Sequence, residues 1–104
     1  MDEGYIKFNP VRQGDTYEYP EKMEQLIELR NRLYTMQLIG QYGNGIGYGN
    51  VSIRSGNGFV ISGSATGGKK FLFPEDFACV THCNYDKNVL EYYGTIKPSS
   101  ESMS

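Results

Sequence analysis

Val51-Ser52-Ile53-Arg54-Ser55-Gly56-Asn57-Gly58-Phe59-Val60-Ile61 is the stretch on which the fold turns. Val51 and Ile53 alternate with Ser52 and Arg54 at the period of a strand that buries one face. Ser55-Gly56-Asn57-Gly58 then supplies turn chemistry before the apolar run resumes at Phe59. The pattern predicts a β-hairpin. Upstream, from Pro20 to about Ile39, the period is that of a helix: Met23, Leu26, Ile27, Leu33, Tyr34 and Leu38 recur on one side, with Leu29 and Met36 widening the buried face. Pro20 suits a first helical position, Glu21 sits in the first turn, Glu28 and Arg32 form an i,i+4 pair on the polar side, and Gly40 then Gly43 supply the stop.

Downstream of the hairpin, residues 63–70 read as a glycine-rich loop, Pro74-Glu75-Asp76 as a single helical turn, and Phe77 to Thr81 as a further strand. Asn84 to Asn88 has turn chemistry, and Val89 to Tyr93 forms a final strand ending at Gly94. At the start of the chain Tyr5 to Phe8 alternates like a short strand, Asn9-Pro10 breaks it, and the polar stretch through Asp15 reads as loop. The division expected is an N-terminal strand and loop over 1–19 and one domain over 20–104, without repeats or linkers. Pro98-Ser99-Ser100-Glu101 reads as the opening of a helix, with hydroxyls to cap free amides and an acidic residue at the positive end of the dipole. Only three residues follow Glu101, too few to meet the nucleation cost of a helix, so the expectation is a protein that continues beyond Ser104.

The chain has 104 residues, and a chain of this length buries only about 60–65% of its unfolded surface, so further support is expected. Its 12 acidic and 10 basic residues are scattered, giving a net charge of -2. No basic stripe marks a nucleic-acid or anionic-membrane partner, and the nine tyrosines fit sheet and interface packing better than a base-stacking surface. No apolar run approaches the roughly 20 residues of a membrane span, and the acidic Met1-Asp2-Glu3-Gly4-Tyr5 is unlike a basic signal-peptide start. A cytoplasmic, soluble protein is expected. Cys79 and Cys83 are too few for a disulfide scaffold and are expected to be reduced and buried.

Three motifs invite chemistry that their context denies. Gly63-Ser64-Ala65-Thr66-Gly67-Gly68-Lys69-Lys70 has the spacing of a phosphate loop as far as the lysine. Lys70 then stands where a magnesium-binding hydroxyl belongs, and Pro74 interrupts the segment where a helix must begin. Gly43-Asn44-Gly45-Ile46-Gly47-Tyr48-Gly49-Asn50 imitates a dinucleotide fingerprint, but it precedes a strand instead of following one, and Tyr48 or Asn50 occupies the third glycine's place. Cys79, His82 and Cys83 lack a fourth metal ligand, and strand alternation puts both cysteines on one face with His82 on the other.

Three segments in order carry a more specific signal: Gly49-Asn50-Val51-Ser52-Ile53-Arg54 after a helix, a Ser/Thr/Gly loop followed by Phe73-Pro74-Glu75-Asp76, and Lys97-Pro98-Ser99-Ser100-Glu101. Together they resemble the class II aldolase/adducin family over residues 20–104. Tyr48 and Phe73 depart from its pattern, in place of a glycine and a threonine. In the loop, Ser64-Ala65 is a second candidate for the Thr-Gly pair that otherwise falls at Thr66-Gly67. The resemblance implies an α/β fold of three layers, α-β-α, around a central, mainly antiparallel sheet, truncated here, and a homotetramer with sites between subunits.

The resemblance also implies a sugar-phosphate substrate whose phosphate is held by Gly49, Asn50, Thr66, Gly67, Ser99 and Ser100. Amides, hydroxyls and a helix start are apt donors for a dianion. Glu101 matches the family's acid/base glutamate, acting beside a zinc that polarises the substrate carbonyl. The family's zinc ligands are three histidines after the Ser-Ser-Glu segment, and this chain has only His82, so the zinc is expected to be held outside these residues. The activity implied is that of a lyase making or breaking a C–C bond in a ketose phosphate. A 4-epimerase using the same retro-aldol chemistry and a non-catalytic, adducin-like assembly module are the alternatives. No metal ligand is assigned within the chain.

Overall fold

The computed structural model describes residues 8–43, 47–99 and 102. The helix, α1, runs Met23–Thr35 and buries Met23, Leu26 and Arg30, with Ile27 and Leu33 packed beside them. It starts later and ends sooner than the apolar pattern predicts. The stop is not Gly40 but Gln37, which adopts the left-handed conformation at φ 65°. The Gln37 amide donates to the Tyr34 carbonyl and the Leu38 amide to the Leu33 carbonyl, both at 2.9 Å, which is a Schellman closure with glutamine in the place usually taken by glycine. Met36 and Leu38 therefore lie past the helix and are 59% exposed, while Leu29, on the flank of the stripe, is 49% exposed. The expected widening of the buried face does not occur. The Glu28–Arg32 pair forms at 4.0 Å on the solvent side.

The glycine-rich stretch after α1 contains a small antiparallel ribbon, β2 (Gly40–Gln41) with β3 (Gly47–Tyr48). The hairpin predicted from Val51 onward is present as β4 (Ser52–Ser55) and β5 (Gly58–Ser62), and Gly56 takes the turn's positive φ of 59°. A 3-10 turn at Pro74–Asp76 leads into β6 (Phe77–Asn84), which runs three residues beyond the expected strand and pairs antiparallel with β7 (Val89–Tyr93).

One further strand, β1 (Asn9–Gly14), overturns the reading of 9–15 as loop. It pairs parallel with β7, and the sheet order is β1-β7-β6-β5-β4. As an edge strand it hydrogen-bonds on one side only, so Pro10 and the exposed polar residues around it are tolerated. Edge strands need no alternating apolar face, and the segment offered none to read. The Tyr5–Phe8 strand falls largely outside the described residues, and Phe8 packs on the core without belonging to a strand.

The result is a small α/β domain with a mixed sheet, antiparallel except at β1–β7. One face packs on α1: Val60 and Phe77 of the sheet meet Met23, Leu26, Ile39, Val51 and Leu72. The other face gathers Ile61, Ala78, Val80, Leu90 and Tyr92, with Phe8, Phe59, Cys83 and Ile96 at its margin. Among the described residues no helix is long and apolar enough to cross a membrane.

A bulge in β6 corrects a second expectation. The pairing steps from Val80↔Tyr92 to His82↔Glu91, leaving Thr81 as an extra residue. Alternation is reset there, so Cys79 packs on the α1-side core and Cys83 on the opposite one. The two cysteines do not share a face. Both are free and half-buried.

Candidate functional site

Backbone hydrogen bonds draw three distant segments into one corner, at the end of the β4–β5 hairpin. The Ser62 amide donates to the Val51 carbonyl at 3.0 Å, and the Val51 amide returns a bond to Ser62 Oγ at 3.3 Å. Ser99 donates to the Ser62 carbonyl at 3.1 Å, Ser64 to the Lys97 carbonyl at 2.7 Å, and Gly63 bridges Pro98 in antiparallel fashion. Ser99 is thus bonded to Ser62 itself, Asn50 precedes a residue bonded to it, and the 63–70 loop springs from it. The Pro98-Ser99 segment does not simply open a helix, because it first completes this bridge. Ser102 closes a turn on the Ser99 carbonyl with its amide at 3.0 Å and its hydroxyl at 2.6 Å. Ser100 and Glu101, the expected phosphate ligand and acid/base, lie outside the described residues.

Gly49 shapes the entry to the corner. Its φ is +81°, and a Cβ there would stand 2.8 Å from Ile39 Cγ1 and 2.9 Å from the Leu38 carbonyl oxygen. Only glycine meets both demands without strain. In the 63–70 loop, Ala65 also has a positive φ, of 62°, and Thr66 Oγ1 donates inward to the Gly63 carbonyl at 2.9 Å. Thr66 is 5% exposed, so its hydroxyl proton serves the loop itself. Gly67 lies directly on the β2–β3 ribbon, where a side chain would overlap the Gly40 carbonyl oxygen.

The two lysines of the phosphate-loop look-alike part company. Lys69 Nζ is 2.6 Å from Asp76 Oδ1, and the other carboxylate oxygen accepts the Phe73 amide at 2.8 Å, so Lys69 and Asp76 together clamp the loop to the 3-10 turn. Lys70 is exposed and lies over the Phe71 ring at 5.5 Å. Beside the loop a cleft of about 530 Å³ opens between the end of α1 and the β2–β3 ribbon, with Tyr34, Gln41, Tyr48, Gly68 and Lys70 in its walls. It adjoins the corner at Gly68 but does not include Asn50, Thr66 or Ser99.

Arg30 is the residue the sequence reading passed over. It is 1% exposed, and its guanidinium donates to the carbonyls of Thr66 at 2.8 Å, Lys69 at 2.6 Å and Lys70 at 3.4 Å. The Tyr34 ring lies 5.1 Å from the guanidinium carbon. Burial lowers its pKa, opposed by Tyr34 and Asp76. Its neighbour Asn31 accepts the Leu72 amide at 3.1 Å, so one turn of α1 fastens both ends of the 66–72 segment. The available signal was position: Arg30 falls seven residues after Met23 and four after Leu26, on the apolar stripe itself.

No family model matches this chain, and no curated protein or solved structure matches it. Geometry therefore carries the functional reading. It gathers a polar corner of amides, hydroxyls and a glycine-rich loop held from behind by Arg30, in which the Val51, Ser62, Ser64 and Ser99 amides and the Thr66 hydroxyl are engaged within the fold. It does not offer a zinc site: among the described residues no three His, Cys, Asp or Glu side chains come together, and His82 is exposed.

Proposed function

We propose that this chain forms the phosphate-binding part of a class II aldolase-type lyase, which in its full form makes or breaks a C–C bond in a ketose phosphate. The observation that supports the reading is the ladder joining Val51, 62–64 and 97–99. The phosphate residues that the family resemblance implies fall within or close to these segments in the sequence, nearly fifty residues apart between Gly49 and Ser99. In this reading Gly49 and Asn50, the Thr66-Gly67 pair, Ser99 and Ser100 surround the phosphate through amides and hydroxyls, and Glu101 beside them moves the proton. The inward-turned Thr66 hydroxyl leaves the Thr66-Gly67 pair to contribute through its backbone. The full protein would complete the second helical layer of a three-layer α-β-α fold, supply the metal ligands that these residues lack, and assemble as a cytoplasmic tetramer.

The test uses the full-length protein with a panel of ketose phosphates. Ser100→Ala is expected mainly to raise KM, because the hydroxyl binds phosphate in ground and transition states alike. Glu101→Gln, assayed at saturating metal, is expected to lower kcat by about a hundredfold or more. A Glu101→Gln enzyme with near-normal kcat on every substrate the parent cleaves would return Glu101 to an ordinary acidic residue. Tight phosphate binding without turnover of any ketose phosphate would instead favour the adducin-like module.

A further inference from the structure

Arg30 poses a physical question that packing does not answer. A guanidinium taken out of water loses several kcal/mol of solvation, and a methionine or leucine would fill the same place on the α1 stripe without that loss. Among the described residues no carboxylate forms an ion pair with Arg30, and what satisfies its charge is carbonyl oxygen. Three carbonyls of one loop, those of Thr66, Lys69 and Lys70, accept its N–H groups. The peptides here are trans. In a trans peptide the N–H points opposite to the C=O, so turning these carbonyls toward Arg30 turns the amides of Gly67, Lys70 and Phe71 away from it. The planar fork of an arginine can hold several carbonyls in fixed directions at once, which a lysine ammonium does less well.

We infer that Arg30 is a positioning residue for anion binding: it holds the 66–70 loop from behind, so that the amides of Gly67, Lys70 and Phe71 face a phosphate group on the opposite side. This rests on the anion-site reading above, adds the Lys70 and Phe71 amides to the donors named there, and names a residue through which they act. The guanidinium polarises the same peptide units that would meet the anion, and its positive charge adds to their pull. Thr66 and Lys69 reinforce the arrangement, since the Lys69 amide donates to the Thr66 carbonyl at 3.0 Å and closes the loop on itself. Arg30 touches no substrate in this scheme. Its effect reaches the ligand through the orientation of the backbone.

The experiment titrates inorganic phosphate into the ¹⁵N-labelled chain, follows the backbone amides by NMR, and measures their hydrogen exchange without ligand. Arg30→Met and Arg30→Lys are compared with the unaltered chain at a temperature where circular dichroism shows each folded. Saturable shifts at Gly67, Lys70 and Phe71 are expected in the unaltered chain. Arg30→Met should weaken phosphate binding at least tenfold, and Arg30→Lys, which keeps the charge without the fork, by a smaller factor of about three. A merely structural arginine would lower the melting temperature and leave the phosphate affinity of the folded protein unchanged, and that result overturns the inference. If Arg30→Met does not fold, Arg30→Lys decides alone, and unchanged affinity in it overturns the inference. Failure of the unaltered chain to bind phosphate would overturn the anion-site reading, and with it the ligand half of this inference. Faster exchange of the 66–71 amides in Arg30→Lys would in that case still establish the hold on the loop, and unchanged exchange would remove that as well.

Discussion

Replacing Gly49 by alanine tests the link between the fold and the corner at a single atom. The new Cβ would meet Ile39 Cγ1 at 2.8 Å, the Leu38 carbonyl oxygen at 2.9 Å and Ile39 Cα at 3.2 Å, and at φ +81° it would also strain the backbone. The left-handed conformation costs a non-glycine residue about 1–2 kcal/mol. Overpacking against a buried neighbour costs about 1–3 kcal/mol, and Ile39 is 4% exposed in the α1-side core with backbone directly behind it. Alanine restricts the unfolded chain and so returns about 0.4–1 kcal/mol. The net expectation is a destabilisation of about 2–3 kcal/mol, or a fall of roughly 10–20 °C in Tm for a domain of this size. Gly43→Ala is the control, because nothing lies within 4 Å of its Cβ and its φ is not positive. It should be neutral or slightly stabilising by the same unfolded-state argument. Calorimetry or urea denaturation of the two variants reads the difference directly. If Gly49→Ala matched Gly43→Ala in Tm, the close approach of Gly49 to Leu38 and Ile39 would be wrong, and so would the placement of Asn50 that depends on it.

Three further outcomes follow from buried polar groups. Burial raises the pKa of Cys79 and of Cys83, and raises that of Tyr17 strongly, with Tyr19 and Cys79 adding to the effect. Groups whose folded pKa is raised contribute stability below their unfolded values and lose it as pH rises. Stability should therefore decline from about pH 8.5 upward, and thiol alkylation at pH 7 should be slower in the folded chain than in urea; a flat Tm between pH 8 and 10 would contradict this. Asp76→Ala removes both the Lys69 contact and the acceptor of the Phe73 amide from a residue 5% exposed, and should cost about 2–3 kcal/mol in chemical denaturation. A loss below 0.5 kcal/mol would show that the clamp on the loop is not needed. The Tyr17 hydroxyl is buried without a hydrogen-bond partner among the described residues, so Tyr17→Phe should be neutral or stabilising by about 1 kcal/mol, and a clear loss of stability would mean that the hydroxyl is in fact bonded.

What the sequence determined by itself was the existence of the elements set by local period and turn chemistry, though not the ends of the helix. The two-residue alternation around Val51 and Ile53 and the glycine-bearing turn at Gly56 suffice for the β4–β5 hairpin, and the apolar stripe from Met23 to Leu33 suffices for α1. Pro74-Glu75-Asp76 and the 84–88 turn follow from the same local rules. Tertiary structure decided the remainder. An edge strand needs neither an alternating pattern nor freedom from proline, so only the pairing of β1 with β7 makes it a strand. The bulge at Thr81 reverses which face Cys83 joins, because one extra residue shifts every later side chain by half a period. Leu29 is apolar by composition but sits on the exposed flank of the stripe, and Met36 and Leu38 are exposed because the helix ends at Thr35 and the chain turns away at Gln37. Arg30 shows the division most sharply. A charge on an apolar stripe reads from the sequence as an interruption, and it becomes part of the core only when a loop nearly forty residues later brings three carbonyls to meet it. Spacing along the chain records where a side chain points, but not which distant peptide groups arrive to satisfy it, and the corner at Ser62 and the hold on the 66–70 loop both depend on such arrivals.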